Sequence, residues 1–516
     1  MIKALSQIRI HQRAFWLILT IAILMISITS CGTSTPSSIP PATIPETSSE
    51  NPVESVLETP LSSDTPSPSE TPFPTTTATS SLPPTPPLEP IGGIELHKLT
   101  DKGGFSLLKG TKTYWIRLNG LFWEDVEPSE GERNWEALAE LEAGLQSASE
   151  QGYQVILIIT NAPTWARSVP DYPCSAVLPE KLPAFASFVQ EVVARYSVPP
   201  YNVKYWELGN EPDVDPKLIS PTMPFGCWGN DQDEYYGGGY YADMLKTVYP
   251  QIKAVDPQAQ VLVGGLLLYC DPINPPETSP GSGEYADCTP SKFLEGALRN
   301  GGGDYFDGVS FHAYDYYLEP FKYGNGTWHS SWDTTGPTFI AKAKYLRSLL
   351  GVYGYANKFL INSETAIICG RDGSEPECQT PEFDQSKANY AAQSFAATLA
   401  EGLRGTVWYS ITGWRGSGLT KGDMQPTYAS TGYAFSLEML DQAAYRGEIT
   451  DFPGIFGYRF EKNGQDLWVL WSIAETPQSI ELPAMPQAIF DVFGNPLPTD
   501  QTIEVGSPVL YIKFAP

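Results

Sequence analysis

The sequence predicts an α/β protein built on a closed (β/α)8 TIM barrel, which a disordered linker precedes and a small antiparallel β domain follows. Three observations favour this fold class. Between residues 93 and 444, apolar segments of strand length alternate with segments of helical period. Short alternating strands occupy residues 445–516, and a segment rich in Pro, Ser and Thr occupies residues 31–92. Strands that alternate with helices form a parallel sheet, and eight such units close a barrel.

The first 30 residues predict a targeting segment. Basic residues precede the apolar run Phe15–Ile28, which is short for a membrane span. The run ends in Ile28-Thr29-Ser30-Cys31-Gly32, which resembles the lipobox of bacterial lipoproteins. This resemblance implies that residues 1–30 are removed and that Cys31 is lipidated, which anchors the protein outside the cytoplasmic membrane, at the cell surface. An ordinary secretory signal with a chance cysteine is the alternative.

Residues 31–92 are predicted to form a disordered linker. From Gly32 to Gly92 the chain contains no Lys or Arg and shows no hydrophobic period. Such a composition cannot bury enough apolar surface to fold, and its many prolines favour extended conformations. We therefore expect the linker to act as a stalk between the anchored cysteine and the barrel.

The composition limits the partners of the protein. Its formal net charge is −27. A strongly acidic protein repels nucleic acid and anionic lipid surfaces, so we expect neither as a partner. Neutral substrates fit this charge better. With 41% hydrophobic residues among 516, the chain is also able to bury a large core.

The barrel is predicted from eight strands and the helices between them. The predicted strands are Ile94–His97, Thr113–Leu118, Gln154–Thr160, Val203–Leu208, Gln260–Leu266, Phe306–His312, Lys358–Ile361 and Thr406–Ser410. The predicted helices are 134–151, 182–196, 238–255, 336–350, 385–402 and 431–442. An active site is expected where the carboxyl ends of the strands meet. An open doubly wound sheet is the alternative, which the lack of a Gly-rich phosphate loop after the first strand disfavours.

The last segment, residues 445–516, predicts an antiparallel β domain. Its predicted strands are Phe456–Glu461, Leu467–Ser472, Ser479–Leu482, Ile489–Val492 and Val509–Phe514. The dipeptide Asn463-Gly464 is a typical hairpin turn between the first two. The domain is either a cap on the barrel or a glycan-binding module. We favour the cap, because aromatic residues at regular spacing are not evident in it.

Six of the seven cysteines are predicted to form disulfides, since Cys31 is taken by the anchor and an even number remains in an exported protein. The predicted pairs, Cys270 with Cys288, Cys369 with Cys378 and Cys174 with Cys227, lie in loops that follow predicted strands. Metal binding is the alternative. The sequence has no Cys-x-x-Cys spacing and four histidines in all, which disfavours it, and we expect no metal or other cofactor.

Two glutamates are the candidates for catalysis. Glu211 lies in WELGNEPD, residues 206–213, where an apolar strand runs into a loop. Glu364 lies in FLINSETA, residues 359–366, which is again an apolar strand that ends in a glutamate. Because the carboxyl ends of barrel strands converge on one mouth, these two carboxylates are expected to meet.

Further polar and aromatic residues stand at or after the ends of predicted strands. They are Arg117, Asn119, Trp123, Asn161, Trp165, His312, Tyr314, Trp408 and Trp414. A cleft lined by rings and a few polar groups suits sugars, whose C–H faces stack on aromatic rings while their hydroxyls form hydrogen bonds. Two acidic residues nearby, Glu124 and Glu127, are interpreted as structural.

Taken together, these motifs resemble the retaining glycoside hydrolases of clan A, and most of all family 39 and family 5, over residues 93–440. The resemblance implies that Glu211 is the acid/base and Glu364 the nucleophile. It also implies that Asn210 contacts a hydroxyl of the substrate and that Arg117 and Tyr314 orient Glu364. His312, Trp123, Trp165, Trp408 and Trp414 are predicted to contribute to the substrate cleft.

The sequence therefore predicts a hydrolase of oligo- or polysaccharides that needs no cofactor and retains the configuration of the sugar. Retention requires one protonated and one ionised carboxyl group about 5 Å apart. A surface-anchored, catalytically inactive glycan-binding protein on the same barrel is the first alternative, although it would not need both glutamates. A metal-dependent barrel enzyme is the second, and it would need carboxylates or histidines at several strand ends.

Overall fold

The computed structural model describes residues 90–219, 227–276, 287–318 and 323–515. The predicted signal peptide, Cys31 and nearly all of the predicted linker lie outside the described residues, so these calls stay predictions. Among the described helices, none combines the length and the apolar character that crossing a membrane requires.

Eight parallel strands close a barrel, as predicted. They are β1 (Gly92–Glu95), β2 (Trp115–Phe122), β3 (Gln154–Thr160), β4 (Tyr205–Asn210), β5 (Gln260–Leu266), β6 (Gly308–Tyr317), β7 (Phe359–Ile368) and β8 (Thr406–Trp408). Each strand pairs with its neighbours in the chain, and the pairing of β1 with β8 closes the ring. Strands β3 and β5 have the predicted bounds. Strand β6 runs beyond its predicted end because its last residues pair with a short hairpin strand, Trp328–Ser330.

Helices surround the barrel. They are α1 (Ala139–Glu150), α2 (Leu182–Tyr196), α3 (Gly238–Val255), α4 (Phe293–Arg299), α5 (Phe339–Val352), α6 (Pro381–Ala400) and α7 (Tyr428–Leu440). Helices α2 and α3 coincide with the predicted segments. Helix α4 was not predicted, since its seven residues are too few to show a 3.6-residue period.

The barrel interior is layered. An apolar layer at the amino-terminal end contains Trp115, Ile156, Tyr205, Leu262, Ile361 and Val407. Side chains two positions along a strand lie on the same face, one step towards the carboxyl end. Arg117 therefore lies above Trp115 and Glu207 above Tyr205, and both are fully buried. A charged layer thus separates the apolar floor from the mouth.

The carboxyl-terminal residues form antiparallel sheets, as predicted. Their strands are β9 (Ala444–Glu448), β10 (Ile455–Lys462), β11 (Gln465–Ser472), β12 (Gln478–Glu481), β13 (Ala488–Phe490), β14 (Pro496–Leu497), β15 (Thr502–Val505) and β16 (Leu510–Lys513). One face packs on the barrel helices: the Tyr511 hydroxyl donates to Ser436 Oγ at 2.8 Å, and the Tyr511 ring contacts Phe435. The other face covers a separate apolar cluster that includes Trp468, Ile489 and Ile512.

All three predicted disulfides are present. Cys174 bonds to Cys227, Cys270 to Cys288 and Cys369 to Cys378, with Cα–Cα distances of 5.2, 5.3 and 6.4 Å. Each closes or joins loops that follow barrel strands. The disulfides therefore stabilise the end of the barrel where the candidate residues lie.

Candidate active site

Glu211 is the first residue beyond β4, and the backbone around it is held in place. Its φ of 50° lies in the left-handed region, which is uncommon for a residue with a side chain. Its backbone N–H donates to Gly265 O at 2.9 Å. The Asp213 carboxylate accepts from the N–H groups of Leu267 and Leu268 at 2.9 and 2.8 Å. These bonds fasten the turn after β4 to the end of β5.

Glu364 lies on β7 and is held by two donors. Arg117 donates from Nη1 to Glu364 Oε1, and the Tyr314 hydroxyl donates to Glu364 Oε2. The Glu364 residue is 5% exposed. Both donors stabilise the ionised carboxylate and fix the direction in which it points.

His312 contacts both glutamates. One side-chain atom each from Glu211, His312 and Glu364 lies within 4.8 Å of the others. His312 Nδ1 is 2.8 Å from Glu211 Oε1 and 3.4 Å from Glu364 Oε2. A Cβ on Gly265 would lie 2.0 Å from His312 Nε2, so only glycine at that position leaves room for the imidazole. The structure thus brings the two predicted glutamates together.

Beneath them, Arg117 joins several acidic groups. Its Nη1 is 2.6 Å from Glu95 Oε2 and its Nη2 is 2.5 Å from Glu207 Oε1. Nη2 also donates to Asn210 Oδ1 at 2.7 Å. We did not single out Glu95 and Glu207 from the sequence. The available signal was a charged residue inside each otherwise apolar strand, a position that is costly unless an opposite charge is buried beside it.

The surroundings of the two glutamates favour different protonation states. Burial, the charge of Glu364 and that of Asp213 hold the pKa of Glu211 well above its usual range. Burial and the nearby Glu95 raise the pKa of Glu364, and Arg117 and the Tyr314 hydrogen bond oppose this rise. The two donors thus favour the anion on Glu364, whereas burial and the charge of Glu364 favour the protonated form of Glu211. Burial, with Arg117 and Lys342 nearby, lowers the pKa of His312, so the imidazole is neutral.

The predicted aromatic residues divide into buried and exposed ones. Trp123 and Trp408 have no exposed surface, and their indole nitrogens donate to Glu127 and to Ser417 O. Their predicted role as sugar contacts is therefore wrong: Trp123 packs against Phe185 and Phe188 of α2, and the loop after β8 covers Trp408. Trp165 is partly buried against Trp123, with its Nε1 bonded to Glu127 O.

Trp414, by contrast, is available at the mouth. It is 43% exposed, and its ring lies edge-on to Tyr314 at 5.9 Å between centroids. Since Tyr314 donates to Glu364, Trp414 stands one ring away from the candidate nucleophile. It is the predicted aromatic residue that is placed best to stack on a sugar.

The cluster of Glu211, His312 and Glu364 also has the composition of a metal site. Each residue offers one ligand atom within 4.8 Å of the others. However, Arg117 and Tyr314 already donate to the two oxygens of Glu364. A guanidinium that is hydrogen-bonded to Glu364 repels a cation at the same carboxylate, so the arrangement suits acid–base and nucleophilic chemistry better than metal binding.

The described fold is similar to solved structures of known proteins, although no family model and no curated protein sequence matches the chain. One is a family 39 glycoside hydrolase from Bacteroides cellulosilyticus WH2, with a TM-score of 0.58, 19% identity and coverage of 82% of this chain and 80% of that one. A second is the family 30 subfamily 8 xylanase Xyn30A from Clostridium acetobutylicum, with a TM-score of 0.54, 12% identity and coverage of 82% and 96%.

A third is BuGH86 in complex with neoagarooctaose, with a TM-score of 0.56, 11% identity and coverage of 83% of this chain and 76% of that one. Identities this low bear on the fold alone. The chain therefore has the (β/α)8 barrel fold found in family 39 and family 30 glycoside hydrolases.

Proposed function

We propose that this protein is a glycoside hydrolase that cleaves O-glycosyl bonds of oligo- or polysaccharides with retention of configuration. The observation that carries the proposal is the pair Glu211 and Glu364, whose side-chain oxygens approach within 4.8 Å at the barrel mouth. Retaining enzymes place two carboxyl groups about 5 Å apart, whereas inverting ones leave about 6.5–9.5 Å for a water molecule. Solved structures of glycoside hydrolases with the same fold support the proposal.

In the first step, the ionised Glu364 attacks the anomeric carbon and Glu211 gives its proton to the departing glycosidic oxygen. The surroundings of the two carboxyl groups support these roles, because Arg117 and Tyr314 donate to Glu364 and stabilise its anion, whereas burial and the charge of Glu364 favour the protonated form of Glu211. In the second step, Glu211, now ionised, takes a proton from water, which attacks the glycosyl–enzyme ester and releases Glu364. No metal or other cofactor takes part.

Several neighbours support these steps. Neutral His312 bonds to Glu211 at 2.8 Å and keeps it facing Glu364. Asn210 is held by Arg117 at the end of β4, where we infer that it contacts a sugar hydroxyl beside the attacked carbon. The exposed ring of Trp414 supplies an apolar surface for a sugar face. The proposed substrate is thus a carbohydrate that lies across the mouth of the barrel.

Separate alanine variants of the two glutamates test this assignment. Glu364→Ala removes the nucleophile and is expected to abolish hydrolysis of every substrate. Glu211→Ala removes proton donation, which is typically worth about 10²- to 10⁴-fold, but an aryl glycoside with an acidic phenol needs little protonation. This variant should still form the glycosyl ester and then stall. Azide should restore turnover and give a glycosyl azide of retained configuration, as analysed by NMR.

A matched control is Glu377→Ala, which changes an exposed glutamate that also follows β7 and should leave hydrolysis as it is. An azide product of inverted configuration from Glu211→Ala would contradict the assigned roles. If a broad panel of aryl glycosides and polysaccharides is bound but never cleaved by the parent protein, the chain is a glycan-binding protein instead.

A further inference from the structure

The face of β6 that points into the mouth continues beyond the catalytic pair. His312, Tyr314 and Tyr316 alternate along β6 and share one face, because side chains of a strand repeat every two residues. His312 contacts Glu211, and Tyr314 contacts Glu364. Tyr316, which is partly exposed, is the next position outward. A residue that contacts Tyr316 therefore lies further out along the mouth than the residues that contact Glu211 and Glu364.

Arg415, in the loop after β8, contacts Tyr316. Its guanidinium carbon is 5.3 Å from the centroid of the Tyr316 ring and 5.1 Å from that of Trp414. Trp414 in turn lies edge-on to Tyr314, the residue that donates to Glu364. Arg415 thus belongs to the aromatic wall of the same cleft. It contacts Trp414, which in turn contacts Tyr314, the residue that donates to Glu364.

Arg415 forms no ion pair within the described residues. Its Nε and Nη2 atoms are buried and have no hydrogen-bond acceptor there. Most described arginines differ: Arg133 and Arg167, for example, each pair with a glutamate. The Arg415 side chain also forms a hydrogen bond with Tyr316. A buried donor on a charged group costs free energy when it has no acceptor, so the Nε and Nη2 donors of Arg415 need an explanation.

The loop that carries Arg415 is held rigidly. The Trp414 N–H donates to Ser417 Oγ at 2.9 Å, and the Cys369 N–H donates to Arg415 O at 2.9 Å. A Cβ on Gly416 would lie 2.8 Å from a ring carbon of Phe383 and 3.1 Å from Cys369 Sγ, so the loop packs closely against the Cys369–Cys378 segment. Arg415 is therefore positioned before any ligand binds.

We propose that Arg415 binds an anionic substituent, a carboxylate or a sulfate ester, on a sugar next to the one that Glu364 attacks. The inference rests on the proposed hydrolase function and narrows its substrate to acidic glycans. A guanidinium matches the planar geometry of a carboxylate and forms strong charge-assisted hydrogen bonds with oxyanions, while the Trp414 and Tyr316 rings contact the sugar. The net charge of −27 does not prevent this, because exposed charges are screened beyond about 8 Å at physiological salt.

The test compares pairs of glycans that differ in charge alone. One series contains uronate oligosaccharides and their carboxyl-reduced counterparts, and the other contains sulfated galactan oligosaccharides and their desulfated counterparts. For the full chain, kcat/KM is measured on each pair, and binding is measured separately by affinity electrophoresis. We expect the parent to prefer the charged member of one series by about tenfold, the effect of one hydrogen bond between charged groups.

Arg415→Gln is expected to bring the ratio of kcat/KM between the charged and the neutral glycan close to one. Arg415→Lys keeps the positive charge but loses the planar guanidinium, so it should reduce this ratio partly. The control is Arg371→Gln, an arginine with a 78% exposed side chain in the loop after β7, which should keep the parent's preference. The series that shows the preference distinguishes a carboxylate from a sulfate.

Two outcomes separate this inference from the proposed function. Cleavage of neutral glycans without a preference in either series, or a preference that survives Arg415→Gln, overturns the anion site and leaves the hydrolase assignment intact. Binding of a charged glycan that depends on Arg415, without cleavage of any glycan, keeps the site and overturns the hydrolase assignment.

Discussion

At the scale of single residues, the charged groups inside the barrel are stabilised by a few specific contacts. Arg117 is the centre, since it donates to Glu364 and pairs with Glu95 and Glu207. Removing one partner of a buried ion pair is strongly destabilising, because the other charge is then left without compensation. The same residue thus supports both the fold and the ionisation of the candidate nucleophile.

A pH dependence of stability follows from Asp315, which is fully buried on β6 and accepts from the Thr338 N–H at 2.8 Å. Burial raises its pKa to about 7 from an ordinary value of 3.8. Between these values the native state binds the proton and the unfolded state does not, so stability falls as pH rises. We expect the free energy of unfolding to fall by on the order of 2 kcal/mol between pH 5 and pH 7.5 from this residue.

Urea unfolding of the parent and of Asp315→Asn at several pH values measures this effect. The asparagine mimics the protonated carboxyl group, so the variant should lose that part of the pH dependence. Asp333→Asn, at an exposed position shortly before α5, serves as the control. Equal slopes for the parent and Asp315→Asn would show that Asp315 is not the group that titrates.

At the scale of elements, helix α5 ties two barrel strands together through Lys342. Its Nζ donates to Leu267 O, just after β5, at 2.8 Å and to His312 O, on β6, at 2.9 Å. Both acceptors adjoin the site, since His312 contacts Glu211 and the Leu267 N–H donates to Asp213. Lys342 therefore acts as a positioning residue between the outer helix layer and the candidate active site.

Lys342→Met tests this role, because methionine keeps most of the aliphatic volume and removes the donors. We expect a loss of about 2–4 kcal/mol in the free energy of unfolding, since two carbonyls lose a charged donor and buried acidic groups lose a nearby cation. We also expect kcat to fall more than KM rises, because His312 and Glu211 shift relative to each other.

Lys344→Met on the same helix is the matched control. Its side chain is 65% exposed and its Nζ is 3.8 Å from Glu401 Oε1. An ion pair whose lysine is this exposed contributes little to the free energy of unfolding. Urea unfolding and steady-state kinetics on a substrate of the parent measure both variants. The positioning role fails if the two lysine variants behave alike.

At the scale of the whole molecule, the barrel and the carboxyl-terminal sheets share one apolar core. Phe460, Val469, Trp471 and Tyr511 from β10, β11 and β16 belong to the same buried cluster as the barrel helices. Val509 also donates its N–H to Asn389 on α6 at 2.8 Å. A contact of this kind favours a structural cap over an independent glycan-binding module.

The shared core predicts cooperative unfolding. Scanning calorimetry of the full chain should show one transition for the barrel and the cap together, since separating them exposes apolar surface on both. A chain that ends before β9 should aggregate or unfold at a lower temperature. Two well-separated transitions, or a truncated barrel as stable as the full chain, would show that the cap is independent.

The sequence determined the class of fold and the candidates for catalysis. Strands such as β3 and β5 were predicted with their observed bounds, because their apolar runs end at polar or turn residues. Glu211 and Glu364 stood out because each follows such a run, and the even number of cysteines that remain after the predicted lipidation site Cys31 predicted the three disulfides. These features are local in the chain, or follow from counting, and need no knowledge of distant contacts.

The tertiary structure alone decided which side chains meet. Glu95 and Glu207 converge on Arg117 only because β1, β2 and β4 belong to one closed ring. The spacing of these three residues along the chain does not indicate that their side chains are close in space. Exposure is equally non-local: Trp408 is buried by the loop that holds Ser417, whereas Trp414 in that same loop remains exposed. Periodicity shows which face of a strand a residue occupies, but packing of distant segments decides whether solvent or substrate reaches it.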